Sequence, residues 1–171
     1  MAGWVLVGSE AVVRLPRSLL EKLARAAEAS GVSLEELLID RLVEALDPRD
    51  RAEAYWAMAE EYLREAREEL EKGNLRQASE KIWGAAALAV KALAYEREGR
   101  RLGSHGELWE YVDRLVRETG DESIGDAWRT AIAMHVNFYE GWAPRGEVER
   151  SLRRVEELVS KLKALGRRAT R

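Results

Sequence analysis

Residues 82 to 93 read IWGAAALAVKAL, a run whose one charged group is Lys91. The run lies inside LRQASEKIWGAAALAVKALAYEREG (75–99), whose flanks are polar and rich in good helix formers. A helix that is apolar all round cannot turn a face to water, so this one is expected at the centre of a helical bundle. It falls short of the roughly 20 uninterrupted apolar residues that span a bilayer. Gly84 and the alanines around it leave room for close helix–helix approach.

The segments on either side supply the covering helices. Asp47-Pro48 sets an N-cap and a first helical residue, and a long helix is expected from Arg49 to Lys72 with Tyr55, Met58, Ala59, Tyr62, Leu63, Ala66 and Leu70 as its apolar stripe. Gly73-Asn74 breaks it, Asn74 is placed to cap the central helix, and the two should form an antiparallel hairpin. RRLGSHGE reads as a loop, LWEYVDRLVRETG as a helix closed by Gly120, and DESIGD as a link to a helix ending near Tyr139 or Gly141. After APRGE, a last amphipathic helix is expected up to Gly166. Seven helices with short linkers are expected, five of them making an all-α, antiparallel, up-and-down bundle over 47–166, preceded by a strand-helix-helix extension over 1–46 and followed by a basic tail at 167–171. The 51–95 hairpin has some tetratricopeptide character, but no second copy follows to build a solenoid.

The 171 residues are 46% apolar and 35% charged, with 22 Arg, 6 Lys and a net charge of −3. The mixed-sign surface implies helices laced by ion pairs, a composition also found in heat-adapted proteins. The negative balance disfavours a protein that binds nucleic acid over its whole surface. With no cysteine and two histidines thirty residues apart in sequence, His105 and His135, no zinc site of the usual kind is expected. The opening MAGWVLVG lacks the basic n-region of a signal peptide. A cytoplasmic chain with no cofactor and no membrane contact is therefore expected.

VVRLPRSLLEKLARAAEASGVSLEELLIDRLVEAL (12–46) has a short strand ending in RLP, a helix, a turn at Gly31 with a capping box from Ser33 to Glu36, and a second helix. This segment resembles a ribbon-helix-helix module. That resemblance implies strands paired between two chains and a ribbon in the DNA major groove. The outward positions Glu10, Val12 and Arg14 suit base or phosphate contacts poorly. Dimerisation, or packing on the bundle, is the expected role, and DNA binding is the alternative.

Three blocks in order, GNLRQASEKIWGAAALAVKALA (73–94), SHGELWEYVDRL (104–115) and HVNFYEGW (135–142), resemble the HEPN superfamily of small helical bundles, and within it the archaeal PaREP branch. Many HEPN proteins are metal-independent ribonucleases with an Arg-x4–6-His signature facing its copy across a dimer cleft. The resemblance implies that Arg129 and His135 are the catalytic pair, with Asn137, Tyr139 and His105 as nucleotide- or RNA-contacting groups. The chemistry fits these residue types: histidine suits proton transfer near neutral pH, and arginine offers a rigid fork of donors to phosphoryl oxygens. Two places depart from active members. A small Thr130 follows the arginine, and Asn137 stands where nucleotidyltransferase-paired toxins have a tyrosine.

Six residues at about 100° each put Arg129 and His135 roughly 120° apart on one helix. His135 shares its stripe with Ala131, Phe138 and Trp142, so a joint site requires a homodimer. The same residues also have plainer readings. His135 can be a hydrogen-bonded core or interface residue, Arg129 the partner of Glu140 or another carboxylate, and His105 a cap. On that reading the chain is a non-catalytic helical dimer that binds a nucleotide or a protein. The six tryptophans are spread along the sequence and are expected to fill the core.

Overall fold

The computed structural model describes the backbone of residues 4–7 and 10–169, and side chains from Val12 to Arg167. The expectations placed on Glu10 and on the tail residues 168–171 therefore fall outside the described side chains. The chain divides into two compact units, Met1–Leu42 and Val43–Arg171.

In the first unit, β1 (Trp4–Val7) and β2 (Glu10–Val13) form an antiparallel hairpin in which Trp4 opposes Val13 and Val7 opposes Glu10. The strand expected to seek a second chain thus has a partner in its own. α1 (Arg17–Ser30) follows Pro16, and Gly31 ends it in the left-handed conformation at φ 68°, which glycine adopts without steric cost. Ser33 Oγ accepts from the Glu36 N–H at 3.0 Å and so opens α2 (Leu34–Glu44), within which the division between units falls. Between Val12 and Leu42, Ala27 is the one apolar residue that is fully buried, while Val13, Leu19 and Leu42 are exposed.

The second unit is the helical bundle: α3 (Pro48–Glu71), α4 (Leu75–Glu98), α5 (His105–Thr119), α6 (Glu122–Glu140) and α7 (Arg145–Ala169). Asp47 caps α3 by accepting from the Arg49 N–H at 3.0 Å. α4 packs against all four of the other bundle helices. Every residue from Ile82 to Ala94 is buried except Gly84, which is half-buried. The pairs Tyr55–Tyr95 and Glu65–Lys81 show α3 and α4 running in opposite directions. At Gly84 the Tyr62 ring of α3 packs directly on the α4 backbone, where a Cβ would lie 2.5 Å from it.

Four boundaries differ from the expected ones, each for a local reason. Asn74 stands at the N-cap of α4, but its amide donates to Glu69 at 2.7 Å instead of capping. α5 starts three residues early because Ser104 caps it, with Glu107 accepting in return from the Gly103 N–H at 2.7 Å. DESIGD is the first part of α6 and not a link. Asp121 accepts from the Ser123 N–H at 3.1 Å, and the buried Gly125 lets Val116 of α5 approach. Gly166 does not end α7, which continues past it to Ala169.

Two consequences are open to measurement. Gly84→Ala should destabilise the bundle by about 1 kcal/mol, overpacking at the Tyr62 ring outweighing the roughly 1 kcal/mol gained in helix propensity. In a Tyr62→Ala background the same change should be neutral or stabilising by urea denaturation. Burial, reinforced by the Glu98 carboxylate, pushes the Tyr111 phenol up to about 12, above its ordinary value of 10.0. The fold therefore favours the neutral phenol. Its contribution is intact below pH 10 and is lost as pH rises through 12, because the unfolded chain sheds the proton first. Tyr111→Phe should remove that alkaline loss in melting curves taken between pH 9 and 12.

Candidate functional site

α4 and α6 are antiparallel neighbours, and one stripe of α4, Arg76, Glu80 and Trp83, faces the C-terminal half of α6. Arg76 caps the end of that helix: its Nε donates to the Phe138 carbonyl at 2.6 Å and a terminal nitrogen to that of Tyr139 at 3.1 Å. A cation is favourable there, where unpaired carbonyls gather. Gly141 closes α6 with φ 69°.

One turn inward, Glu80 Oε2 lies 3.6 Å from His135 Nδ1, within ion-pair reach but longer than a hydrogen bond. Both atoms are fully buried and neither has a hydrogen-bond partner. Polar atoms so placed are rare in folded proteins and need an explanation. A carboxylate opposite Nδ1 favours the tautomer that carries its proton there.

Aromatic rings surround the imidazole. Trp83 lies 4.9 Å from it between ring centroids, His105 5.4 Å and Tyr139 5.4 Å. Trp83 also packs on His105 at 5.3 Å and on Trp128 at 5.2 Å, and Trp109 meets Trp128 at 6.0 Å. Half of the tryptophans thus gather around the histidine pair, contrary to the even spread suggested by the sequence. The two histidines, distant in sequence, are in ring contact because Ser104 starts α5 beside the middle of α4. They nevertheless belong to no group of three His, Asp or Glu side chains suited to a metal ion, among the described residues. The cluster opens to the surface along α6 and the turn after it, where Tyr139 is 57% and Trp142 49% exposed.

Asn137 lies on the inner face of α6, fully buried. Its amide nitrogen donates to Ser79 Oγ at 2.8 Å and its oxygen accepts from the Ala143 N–H at 2.6 Å, while Ser79 donates to the Leu75 carbonyl at 2.8 Å. These bonds tie α4, α6 and the turn before α7 together. Arg129 is exposed and pairs with Asp126 at 2.8 Å, not with Glu140, and shares no contact with the His135 cluster. The structure therefore brings His135, His105 and Tyr139 together, places Asn137 beneath them as a tie, and turns Arg129 away. Sequence reasoning missed Glu80 and Trp83. The one signal for Glu80 was a carboxylate three residues before a tryptophan at the edge of an otherwise apolar helix.

The fold and this cluster define a protein class, an antiparallel α-helical bundle with a histidine–carboxylate pair set in aromatic rings. The chain belongs to the archaeal PaREP1/PaREP8 family, which it matches over residues 54–159. It is similar to a Sulfolobus solfataricus protein of known crystal structure, with 29% identity and a TM-score of 0.54 over 67% of this chain and 97% of that one. About a third of this chain thus has no counterpart there. No curated protein matches the chain. Among the described residues, no helix is long and apolar enough to cross a membrane.

Asn137→Ala would leave the Ala143 N–H and the Ser79 hydroxyl without that partner in a dry interior. The expected loss is about 1–3 kcal/mol, read as a lower urea midpoint with an unchanged slope.

Proposed function

We propose that the chain is a metal-independent endoribonuclease of HEPN type, with His135 as its proton-transfer residue. The observation that supports this reading is the buried Glu80 carboxylate facing His135 Nδ1 in a cluster that also holds the second histidine. Cleavage would proceed by attack of the RNA 2′-OH on the adjacent phosphorus. The P–O5′ bond breaks and a 2′,3′-cyclic phosphate forms. One group must take the 2′-OH proton and another must return a proton to the departing O5′. His135 and His105 are the two groups in reach of one another for these tasks. Glu80 orients His135, and Tyr139 and Trp142 offer faces on which unpaired bases can stack.

Arg129 does not reach His135 within one chain, so its expected role on the phosphate requires a second copy to supply it. The homodimer is part of the proposal on that account. Asn137 enters as the tie between α4, α6 and the turn before α7, its amide nitrogen and oxygen each engaged in a hydrogen bond.

The test is incubation of the purified protein with single-stranded and structured RNA in EDTA. Cleavage by the unaltered protein, reduced about 10²–10⁴-fold in His135→Ala, is the expected result. Glu80→Gln should lower the rate less and shift its pH profile, as befits a positioning residue. Equal activity in all three proteins, or none in any, overturns the proposal. In the second case, retained binding of a mononucleotide would leave a non-catalytic nucleotide-binding protein.

A further inference from the structure

The face of α6 turned away from His135 carries a different chemistry. Asp126 lies nine residues before His135, which places it about 180° around the helix. There α6 and α7 border a groove of about 360 Å³ lined by Ser123, Asp126, Arg150, Arg153, Arg154, Glu157 and Lys161, with Ala127 and Leu158 as apolar floor. The four cations all lie on α7, with Glu157 between Arg154 and Lys161, and from Arg150 to Lys161 they extend about 16 Å at 1.5 Å per residue. That length exceeds a single phosphate group and suits several anionic groups in a row.

The charges in the groove do not cancel. Arg150 is paired with Glu147 at 2.6 Å, Lys161 with Asp121 at 2.7 Å, and Asp126 with Arg129 at 2.8 Å. Glu157 is the remaining carboxylate of the lining, set against two arginines. Elsewhere the bundle neutralises its guanidinium groups systematically. Among its described residues only the guanidinium groups of Arg49, Arg100, Arg153 and Arg154 make neither an ion pair nor a hydrogen bond. The last two are neighbours, exposed, and share this groove. Adjacent free guanidinium groups repel each other, and an oxyanion held by both offsets that cost. Phosphate is the best match, because the planar fork donates two parallel hydrogen bonds to its oxygens.

We infer that the α6–α7 groove, through Arg153 and Arg154, binds the phosphate backbone of single-stranded RNA at a site separate from the His135 cluster. The choice of RNA rests on the proposed activity, and the groove would then hold the strand whose cleavage the cluster performs. Arg150 and Lys161 supply long-range attraction from the ends of the row, while their carboxylate partners keep it short of a general polyanion surface.

The test is fluorescence anisotropy with a labelled 12-nucleotide single-stranded RNA whose 2′-hydroxyls are methylated, so that it cannot be cleaved by 2′-OH attack, at 50 and 200 mM salt. The unaltered protein should bind, more weakly at the higher salt. The double variant Arg153→Glu/Arg154→Glu should lose at least tenfold in affinity and about one to two in the slope of log affinity against log salt. Both side chains are exposed, so its melting temperature should stay unchanged. His135→Ala should bind within twofold of the unaltered protein, which separates this inference from the catalytic reading. Undiminished binding by the double variant overturns the inference, whether or not RNA is cleaved. So does the absence of RNA binding by the unaltered protein. Displacement of the RNA by equimolar tripolyphosphate would likewise overturn it, by showing a site for small phosphates.

Discussion

The interaction on which the bundle depends is the burial of α4 on every side. Its middle turns carry alanine, leucine, valine and isoleucine where a surface helix would carry charges, so the helix has no stable position except one enclosed by others. α3, α5, α6 and α7 each cover part of it. Small residues make this enclosure tight, since contact at Gly84 leaves no space for even one methyl group beside Tyr62. The outer helices then need only one apolar stripe each, and their remaining faces are free for the Glu–Arg pairs that make the composition so highly charged.

The candidate site forms where this enclosure gives way to the surface. At the N-terminal end of α4, the apolar run is replaced by Ser79, Glu80 and Arg76, each engaged with α6. Ser79 meets the Asn137 amide, Glu80 faces His135, and Arg76 holds the last carbonyls of the helix. A structural tie, a histidine facing a carboxylate and a helix cap therefore lie within two turns. This is the arrangement that fixes a histidine ring in position while leaving its neighbour Tyr139 open to solvent. The groove on the far side of α6 is of the opposite kind, built from cations on an exposed helix and without an aromatic side chain in its lining.

Much of the bundle was legible in the residues. Asp47-Pro48, Gly73, Gly120 and Gly141 marked helix ends because caps and left-handed turns depend on local chemistry. DESIGD misled because polar residues near a glycine look like a loop. Only the packing of Gly125 against Val116 shows why the glycine belongs inside a helix. Gly166 misled for a related reason, since its place in the packed helix overrides its preference for a terminus. Arg129 and His135 were legible as residues, and their divergence followed from helical geometry. Arg129 pairs with a carboxylate, as its plainer reading allowed, and among those open to it the partner is Asp126, one turn back on the same helix.

By itself, then, the sequence determined the helical class, the central place of α4, most helix ends and the separation of Arg129 from His135. Those properties follow from periodicity and from chemistry within a turn or two of chain. Tertiary structure decided the meeting of His105 with His135, the approach of Glu80 to Nδ1, the gathering of Trp83, Trp109 and Trp128, and the pairing of β2 with β1. It also left Arg153 and Arg154 as neighbours without a carboxylate. Except for the hairpin, these features depend on which faces of separate helices meet. That is set by the packing of the whole enclosure around α4 and by no local pattern.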